Sequence, residues 1–464
     1  MSGLVFLKYI SESFSQVYER LKREGSNTED KDEYLAENVF FVPQSARWEM
    51  IMASAKLPTI GKTIDKAMFA IESENDSLKG ILPKIYAKEN LDSIALGKLI
   101  DLISNITLSD TKERSNDILG HIFEYFLGKF ALSEGKNGGE FYTPKSVVQL
   151  LVSILEPFRG RVFDPCCGSG GMFVQSEEFV QEHSGKIDDI VIYGQESNQT
   201  TWKLAKMNLA IRQIDSSLVL WNSEGSFLND AHKDLKADFI IANPPFNDSD
   251  WSGELLAEDI RFKYGTPPPS NANYAWIQHF IYHLAPKGVA GFVLAKGSLT
   301  SNTAGEGIIR RNLIESNLID CIINLPAKLF LNTQIPACLW FIRRNRTTKD
   351  ILFIDARNLG TLINRKNRIL TPDDISKIAS TYHSWRRGSE YSDTKGFCKA
   401  ASFDEVANLG FTLTPGRYVG LEESEEEIDF EAEFARLKSE LQDSMREEER
   451  LNVRIMENLS KIRA

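Results

Sequence analysis

The sequence predicts an α/β protein, a doubly wound sheet that follows an all-α N-terminal domain and precedes one long amphipathic helix. Three observations predict this. Between residues 136 and 350 short apolar runs alternate with helical patterns, as parallel strands joined by crossover helices require. Residues 1–135 keep helical periodicity, and residues 421–464 carry apolar side chains at threes and fours amid charges.

The first helix places Phe6, Ile10, Phe14, Val17 and Leu21 on one face, and Gly25–Asp32 forms a polar break after it. In the sheet domain the predicted strands are 161–164, 190–193, 218–221, 238–242, 289–295, 319–323 and 337–342. Asp164, Glu196 and Asn243 fall at strand carboxyl ends, where open α/β sheets bind ligands. Residues 351–420 add one strand candidate, 351–354, and a helical stretch, and read as an extension of the same domain. Beyond the acidic run Glu422–Glu427, apolar positions recur at Phe430, Phe434, Leu437 and Leu441, then at Leu451, Ile455, Leu459 and Ile462. That spacing predicts a long helix in need of a partner helix, and it fits a solvated terminal helix less well because both ends of the stripe keep it.

At 464 residues the chain has ample length for a large core and accessory domains. No segment offers the roughly 18 consecutive apolar residues of a membrane span, and the start lacks a secretory signature, so a cytoplasmic protein is expected. Five cysteines, two of them adjacent at Cys166 and Cys167, match neither a disulfide framework nor a zinc pattern. His279 and His283 lie four apart, but no third ligand is evident and no metal is expected. A net charge of −11 is unusual for a chain that binds nucleic acid unaided. Candidate phosphate contacts are Arg343, Arg344 and Arg346, and separately Arg365, Lys366 and Arg368; solvated faces give the same clusters.

Asn243-Pro244-Pro245-Phe246, after the apolar run 238–242, suits the methylation of an exocyclic amine. The lone pair of such an amine is delocalised into its ring, so acceptors must hold the two N–H bonds while the pair turns toward a methyl donor. Asn243 offers a side-chain carbonyl, Pro244 a backbone carbonyl on a segment stiffened by Pro245, and Phe246 a flat face for an unstacked base. A strand ended by a Pro-Pro turn accounts for the tetrapeptide alone equally well. Upstream, 161–173 reads as strand, glycine turn and helix start. Gly168, Gly170 and Gly171, with Ser169 between, allow close backbone approach to a nucleotide cofactor, and Asp164 can accept from an ammonium or water. Without a following Gly-Lys-Ser/Thr it is not a phosphate-cradling loop. Glu196 ends the next strand, placed for two ribose hydroxyls. In Gly139-Glu140-Phe141-Tyr142-Thr143-Pro144-Lys145, Thr143 is a good N-cap and Pro144 a good first residue for the apolar helix Val147–Ile154, whose N-terminus would face a carboxylate.

These motifs, in this order, resemble the S-adenosylmethionine-dependent DNA amino-methyltransferases, most closely the modification subunits of type I restriction-modification systems. The resemblance covers most of residues 4–464. It identifies Glu140, Phe141, Tyr142, Thr143, Pro144 and Lys145 with the family's extra cofactor motif. The segments Trp251–Glu254 to Asn273–Trp276 resemble its long active-site loop, and Leu325–Phe330 its later aromatic motif, with Phe330 against the other face of the base. Two departures stand out. Ser226 occupies a position that is often acidic in the family, so Ser226 or a backbone carbonyl would have to hold the cofactor's adenine amine. The chain also opens almost directly on Leu4–Ser11, which in the family follows further helix, so a shortened or different start is expected.

The resemblance implies a Rossmann-like methyltransferase sheet, S-adenosyl-L-methionine as cofactor, and adenine N6 in DNA as acceptor. It also implies a separate specificity subunit that reads the sequence, a second copy of this chain, and a restriction subunit in the full complex. About ninety residues separate Phe330 from the terminal helix, too few for a recognition domain. The terminal helix is therefore the expected docking element for the specificity subunit. A cofactor-binding scaffold without chemistry, or transfer to another NH2 group such as cytosine N4, RNA or a glutamine amide, is the alternative.

Overall fold

Helix Ser2–Glu24 buries Leu4, Phe6, Leu7, Ile10, Phe14, Val17 and Leu21, and stops at Gly25, whose φ of 70° lets the Ser26 amide return to the Leu21 carbonyl at 2.9 Å. Helices Lys31–Leu35, Trp48–Ala53, Ile60–Glu74 and Ser93–Ser104 complete the N-terminal helical core. The same core takes in Leu204, Met207 and Ile211 of helix Gln199–Ile211, and the Tyr9 hydroxyl donates to the Ile211 carbonyl at 2.7 Å. Each buried side chain of this size stabilises by about 1.5–3 kcal/mol, so the helices are anchored to the sheet domain rather than tethered beside it.

This computed structural model describes residues 2–88, 91–105, 123, 125, 127, 143–183, 189–330, 336–365, 367–421 and 430–460. Two compact units, Met1–Gly420 and Leu421–Ala464, make up the chain.

The sheet strands are β1 (Gly160–Asp164), β2 (Ile190–Glu196), β3 (Val219–Trp221), β4 (Ala237–Ala242), β5 (Leu284–Ala295), β6 (Ile319–Asn324), β7 (Ala337–Arg343), β8 (Ile351–Asp355) and β11 (Cys398–Ala401), with a separate two-stranded ladder of β9 (Thr361–Leu362) and β10 (Arg368–Ile369). The order across the nine-stranded sheet is β11-β8-β6-β7-β5-β4-β1-β2-β3. β7 runs antiparallel to β5 and β6, and β11 antiparallel to β8; the remaining pairs are parallel. Every strand expected from the apolar runs is present. β11 was not expected: Cys398-Lys399-Ala400-Ala401 is short and weakly apolar, and its strand form comes from pairing with β8.

Side chains alternate across the sheet. Leu339 and Phe341 of β7 enter the core beneath helices Lys145–Leu155 and Pro372–Arg387, whereas Cys338, Trp340 and Ile342 enter the core beneath helices Asn273–His283 and Glu306–Glu315. In the second unit, helix Phe430–Ser460 exposes Phe434, Leu437, Leu441, Met445 and Leu451.

Candidate active site

Because β4, β1 and β2 are parallel neighbours, Asp164, Glu196 and Asn243 meet at one edge of the sheet. The turn after β1 is made by Gly168 at φ 53° and Gly170 at φ 78°, conformations that favour glycine. It is pinned from three sides. The Cys167 amide donates to the Gln195 carbonyl at 3.0 Å, the Gly168 amide to Glu196 Oε2 at 3.0 Å, and Asn208 Nδ2 to the Ser169 carbonyl at 2.8 Å. A Cβ built on Gly171 would meet open space. Two adjoining clefts of about 570 and 940 Å³ share Cys166, Gly168 and Asn243. The first is also lined by Thr143, Lys145 and Asp164, the second by Glu196, Ser226 and Phe227.

Asp164 and Glu196 are buried, and among the described residues neither has an ion-pair partner. Burial pushes the Asp164 carboxyl up to about 7, against the pull of the Cys166 amide and with the Glu196 charge adding to the rise. Burial likewise raises the Glu196 carboxyl, although Oε1 accepts from the Asn198 amide at 2.8 Å and Oε2 from Gly168. Two crowded carboxylates without a cation suit a ligand that carries positive charge, and an ionised carboxylate has lone pairs to spare beyond one amide per oxygen. Burial also lifts the Cys166 and Cys167 thiols well above their ordinary value, so they are packing groups rather than nucleophiles.

On the Asn243 side the geometry is that of an acceptor in waiting. Asn243 is 7% exposed and its Oδ1 is buried with no hydrogen-bond partner among the described residues. The segment behind it is held by a reciprocal amide pair: the Asn247 amide donates to Asn273 Oδ1 at 3.1 Å, and Asn273 Nδ2 to Asn247 Oδ1 at 2.9 Å. Pro245 lines the second cleft, where the indole N–H groups of Trp251 and Trp276 are also buried without partners among the described residues. Phe246 and Phe330 do come together, but edge to face, with centroids 5.9 Å apart at 74°. Two rings clamping a base would lie parallel at about twice a stacking distance, so this arrangement holds no base-wide slot.

The structure places the other expected residues as follows. Pro144 occupies the cap position of helix Lys145–Leu155 and no side chain caps it, so Thr143 is not the N-cap; it lines the cleft instead. The shift follows from proline at the boundary, where the Pro144 carbonyl accepts from the Val147 and Val148 amides. Glu140, Phe141 and Tyr142 lie outside the described residues, as does Lys366. The Ser226 hydroxyl donates to the Pro165 carbonyl, and its own carbonyl accepts from Arg261 at 3.1 Å.

Of the arginines read as phosphate candidates, Arg343, Arg344 and Arg346 belong to the opposite edge of the sheet, whereas Arg365 and Arg368 lie beside Lys328 on the Asn243 side, where the Arg368 amide donates to the Lys328 carbonyl at 2.9 Å. β7 is antiparallel, so Arg343 at its end pairs with Val289, level with Phe239 and short of the end of β4 where Asn243 stands. Arg346 Nε bonds buried Asp320 at 2.8 Å, Arg343 lies 3.5 Å from the same carboxylate, and Arg344 Nη2 donates to the Ile281 carbonyl at 2.7 Å. Arg368 Nη1 donates to the Leu359 carbonyl at 2.7 Å.

His279 and His283 are joined by Asp230, a third group that sequence spacing did not suggest. Arg261 Nη1 approaches His279 Nδ1 at 3.1 Å as a donor, which leaves the ring proton on Nε2 and no free lone pair there for a metal. His283 bridges the Leu235 carbonyl and Asp230 Oδ2 at 3.0 and 2.8 Å, whereas His279 Nε2 is buried without a partner among the described residues.

A sheet that gathers a glycine turn, two acidic strand ends and an Asn-Pro-Pro-Phe segment at one edge defines a nucleotide-cofactor methyltransferase of the amino-group class. Comparison with known proteins carries this further. Residues 114–427 match the family model described as N-6 DNA methylase, and residues 1–103 match the HsdM N-terminal domain. The chain is 46% identical over 441 residues, 90% of this chain and 99% of the relative, to the type I restriction enzyme HindI methylase subunit of Haemophilus influenzae. It is 39% identical to the MjaIX methylase subunit of Methanocaldococcus jannaschii over 98% of this chain and 86% of that one. Among solved structures, the type I restriction-modification methyltransferase subunit of Streptococcus thermophilus superposes with a TM-score of 0.76 at 25% identity, covering 91% of this chain and 94% of the other. The chain belongs to the N-6 DNA methylase family and, within it, to the modification subunits of type I restriction-modification systems.

Proposed function

We propose that this chain transfers a methyl group from S-adenosyl-L-methionine to the N6 amine of adenine within a specific DNA site. The observation that carries the proposal is the buried Oδ1 of Asn243 at the same sheet edge as two carboxylates, the former without a hydrogen-bond partner and the latter without a cation among the described residues. Asp164, the Gly168–Gly171 turn and Glu196 hold the cofactor, with Thr143, Pro144 and Lys145 at the helix N-terminus beside it. S-adenosylmethionine, when bound, supplies an electrophilic methyl on a positively charged sulfur. Asn243 Oδ1 and the Pro244 carbonyl accept the two amine hydrogens, which localises the lone pair for attack. Phe246 stacks on the extruded base, and Phe330 joins it once their edge-to-face contact opens.

DNA as substrate sets a cytoplasmic location, and an acidic chain leaves sequence reading to others. The exposed stripe Phe434–Leu451 is the docking face for a specificity subunit, which binds a second copy of this chain and, in the full complex, a restriction subunit. Nucleoside analysis of DNA treated with the assembled complex and cofactor tests the acceptor. N6-methyladenine is the expected product; N4-methylcytosine would reassign the base, and no methylated nucleoside would leave a cofactor-binding scaffold. Removal of residues 425–464 is expected to leave a folded, cofactor-binding protein that no longer co-purifies with the specificity subunit. Full assembly after that truncation would overturn the docking assignment.

A further inference from the structure

Arg261 is 8% exposed and lies in the segment between Asn243 and helix Asn273–His283, well removed in sequence from the cofactor motifs. Its guanidinium is engaged on every side. Nε and Nη2 grip Asp259 at 2.8 and 2.7 Å, Nη1 donates to the Ser226 carbonyl at 3.1 Å, Nη2 to the Phe227 carbonyl at 2.6 Å, and Nη1 also meets His279 Nδ1. Ser226 and Phe227 form the wall of the cleft that Glu196 also lines, and the Ser226 hydroxyl reaches on to the Pro165 carbonyl in the turn after β1. One planar cation thus ties together the Asp259 turn, the short Gly225–Leu228 helix and, through Ser226, the glycine turn.

We propose that Arg261 is a positioning residue for the cofactor, holding the Ser226–Phe227 turn in the shape that the adenosine end of S-adenosylmethionine requires. The inference rests on the assignment of the Glu196 cleft to that cofactor. Nothing within Gly225-Ser226-Phe227-Leu228 itself fixes the Ser226 and Phe227 carbonyls: the short helix has no side-chain cap, and Gly225 at its start stands at φ 72°. The forked guanidinium supplies what the four-residue turn lacks. Lysine cannot replace it, because one ammonium cannot grip Asp259 at two points while also reaching two carbonyls. His279 adds a fourth contact to the guanidinium, its Nδ1 accepting from Arg261 Nη1 at 3.1 Å.

The test is calorimetric binding of S-adenosylhomocysteine and S-adenosylmethionine to the full chain. Arg310 serves as the control: it is buried still more completely and also bonds carbonyls, those of Phe411 and Ser301, but not in the Glu196 cleft. Arg261→Lys is expected to weaken cofactor binding at least tenfold. In the assembled complex it is expected to raise the KM for S-adenosylmethionine while kcat at saturating cofactor stays near wild type. Arg310→Lys is expected to lower thermal stability and leave the dissociation constant within about twofold. Equal affinity of wild type and Arg261→Lys, or equal weakening by both substitutions, would overturn the proposal. A wild-type chain that binds neither ligand would instead overturn the assignment of the cleft on which it rests.

Discussion

Two buried polar clusters in this chain look alike in sequence and differ in one physical respect. Around Asp320, which is fully buried, Arg346 stands at 2.8 Å, the Tyr382 hydroxyl at 2.7 Å, Arg386 at 3.4 Å and Arg343 at 3.5 Å. At the other edge of the sheet, Asp164 and Glu196 have backbone amides but, among the described residues, no cation, and Asn243 Oδ1 has no partner among them. A satisfied cluster has nothing left to bind with, whereas an unsatisfied one retains donors, acceptors and field for a ligand. The comparison teaches that buried charge marks function here only where the protein leaves it uncompensated.

The largest expected effect on stability belongs to the satisfied cluster. Asp320→Ala leaves three arginines facing a buried void and is expected to cost about 3–5 kcal/mol in urea unfolding. A loss below about 1 kcal/mol would show that the cluster is not the anchor its geometry describes.

The opposite sign is expected at Asp164. Its carboxyl titrates at about 7 in the folded chain against an ordinary 3.8, so the folded state holds this proton more tightly than the unfolded state between those values. Stability from this group therefore falls as pH rises from about 4 to 7 and stays reduced above 7. Asp164→Asn is expected to stabilise the ligand-free chain at pH 8 by about 1–3 kcal/mol, with no gain near pH 4, while weakening cofactor binding. Thermal unfolding at the two pH values checks this, and equal shifts at both would contradict it.

Glu196→Ala sharpens the contrast further. It removes the acceptor of the Gly168 and Asn198 amides and of the proposed ribose contact, and is expected to weaken cofactor binding by about 1–3 kcal/mol. Unchanged affinity in an intact fold would remove Glu196 from the site.

Much of the fold was legible because parallel strands are apolar runs that end abruptly at a polar residue, and Asp164, Glu196 and Asn243 are such endings. Their convergence on one edge follows from strand direction alone. β11 was not legible, since its pairing with β8 and not its side chains makes it a strand. The role of the arginines after β7 was misread because the partner of Arg346, Asp320, lies 26 residues upstream on the neighbouring strand. Arg261 and Asn208 were missed for the same reason: the carbonyls they hold are 34 to 39 residues away in sequence. The Thr143 cap was off by one residue because proline fixes the backbone at the boundary without a side-chain bond.

We infer that Asn243 Oδ1, without a partner among the described residues, is kept for the target amine. Asn243→Ala, measured in the assembled complex by single-turnover methyl transfer alongside calorimetric cofactor binding, tests it most directly. Cofactor affinity and assembly are expected to be retained while the transfer rate falls by about 10²–10³, the scale of one lost transition-state hydrogen-bonding group. Methyl transfer at the wild-type rate would contradict it.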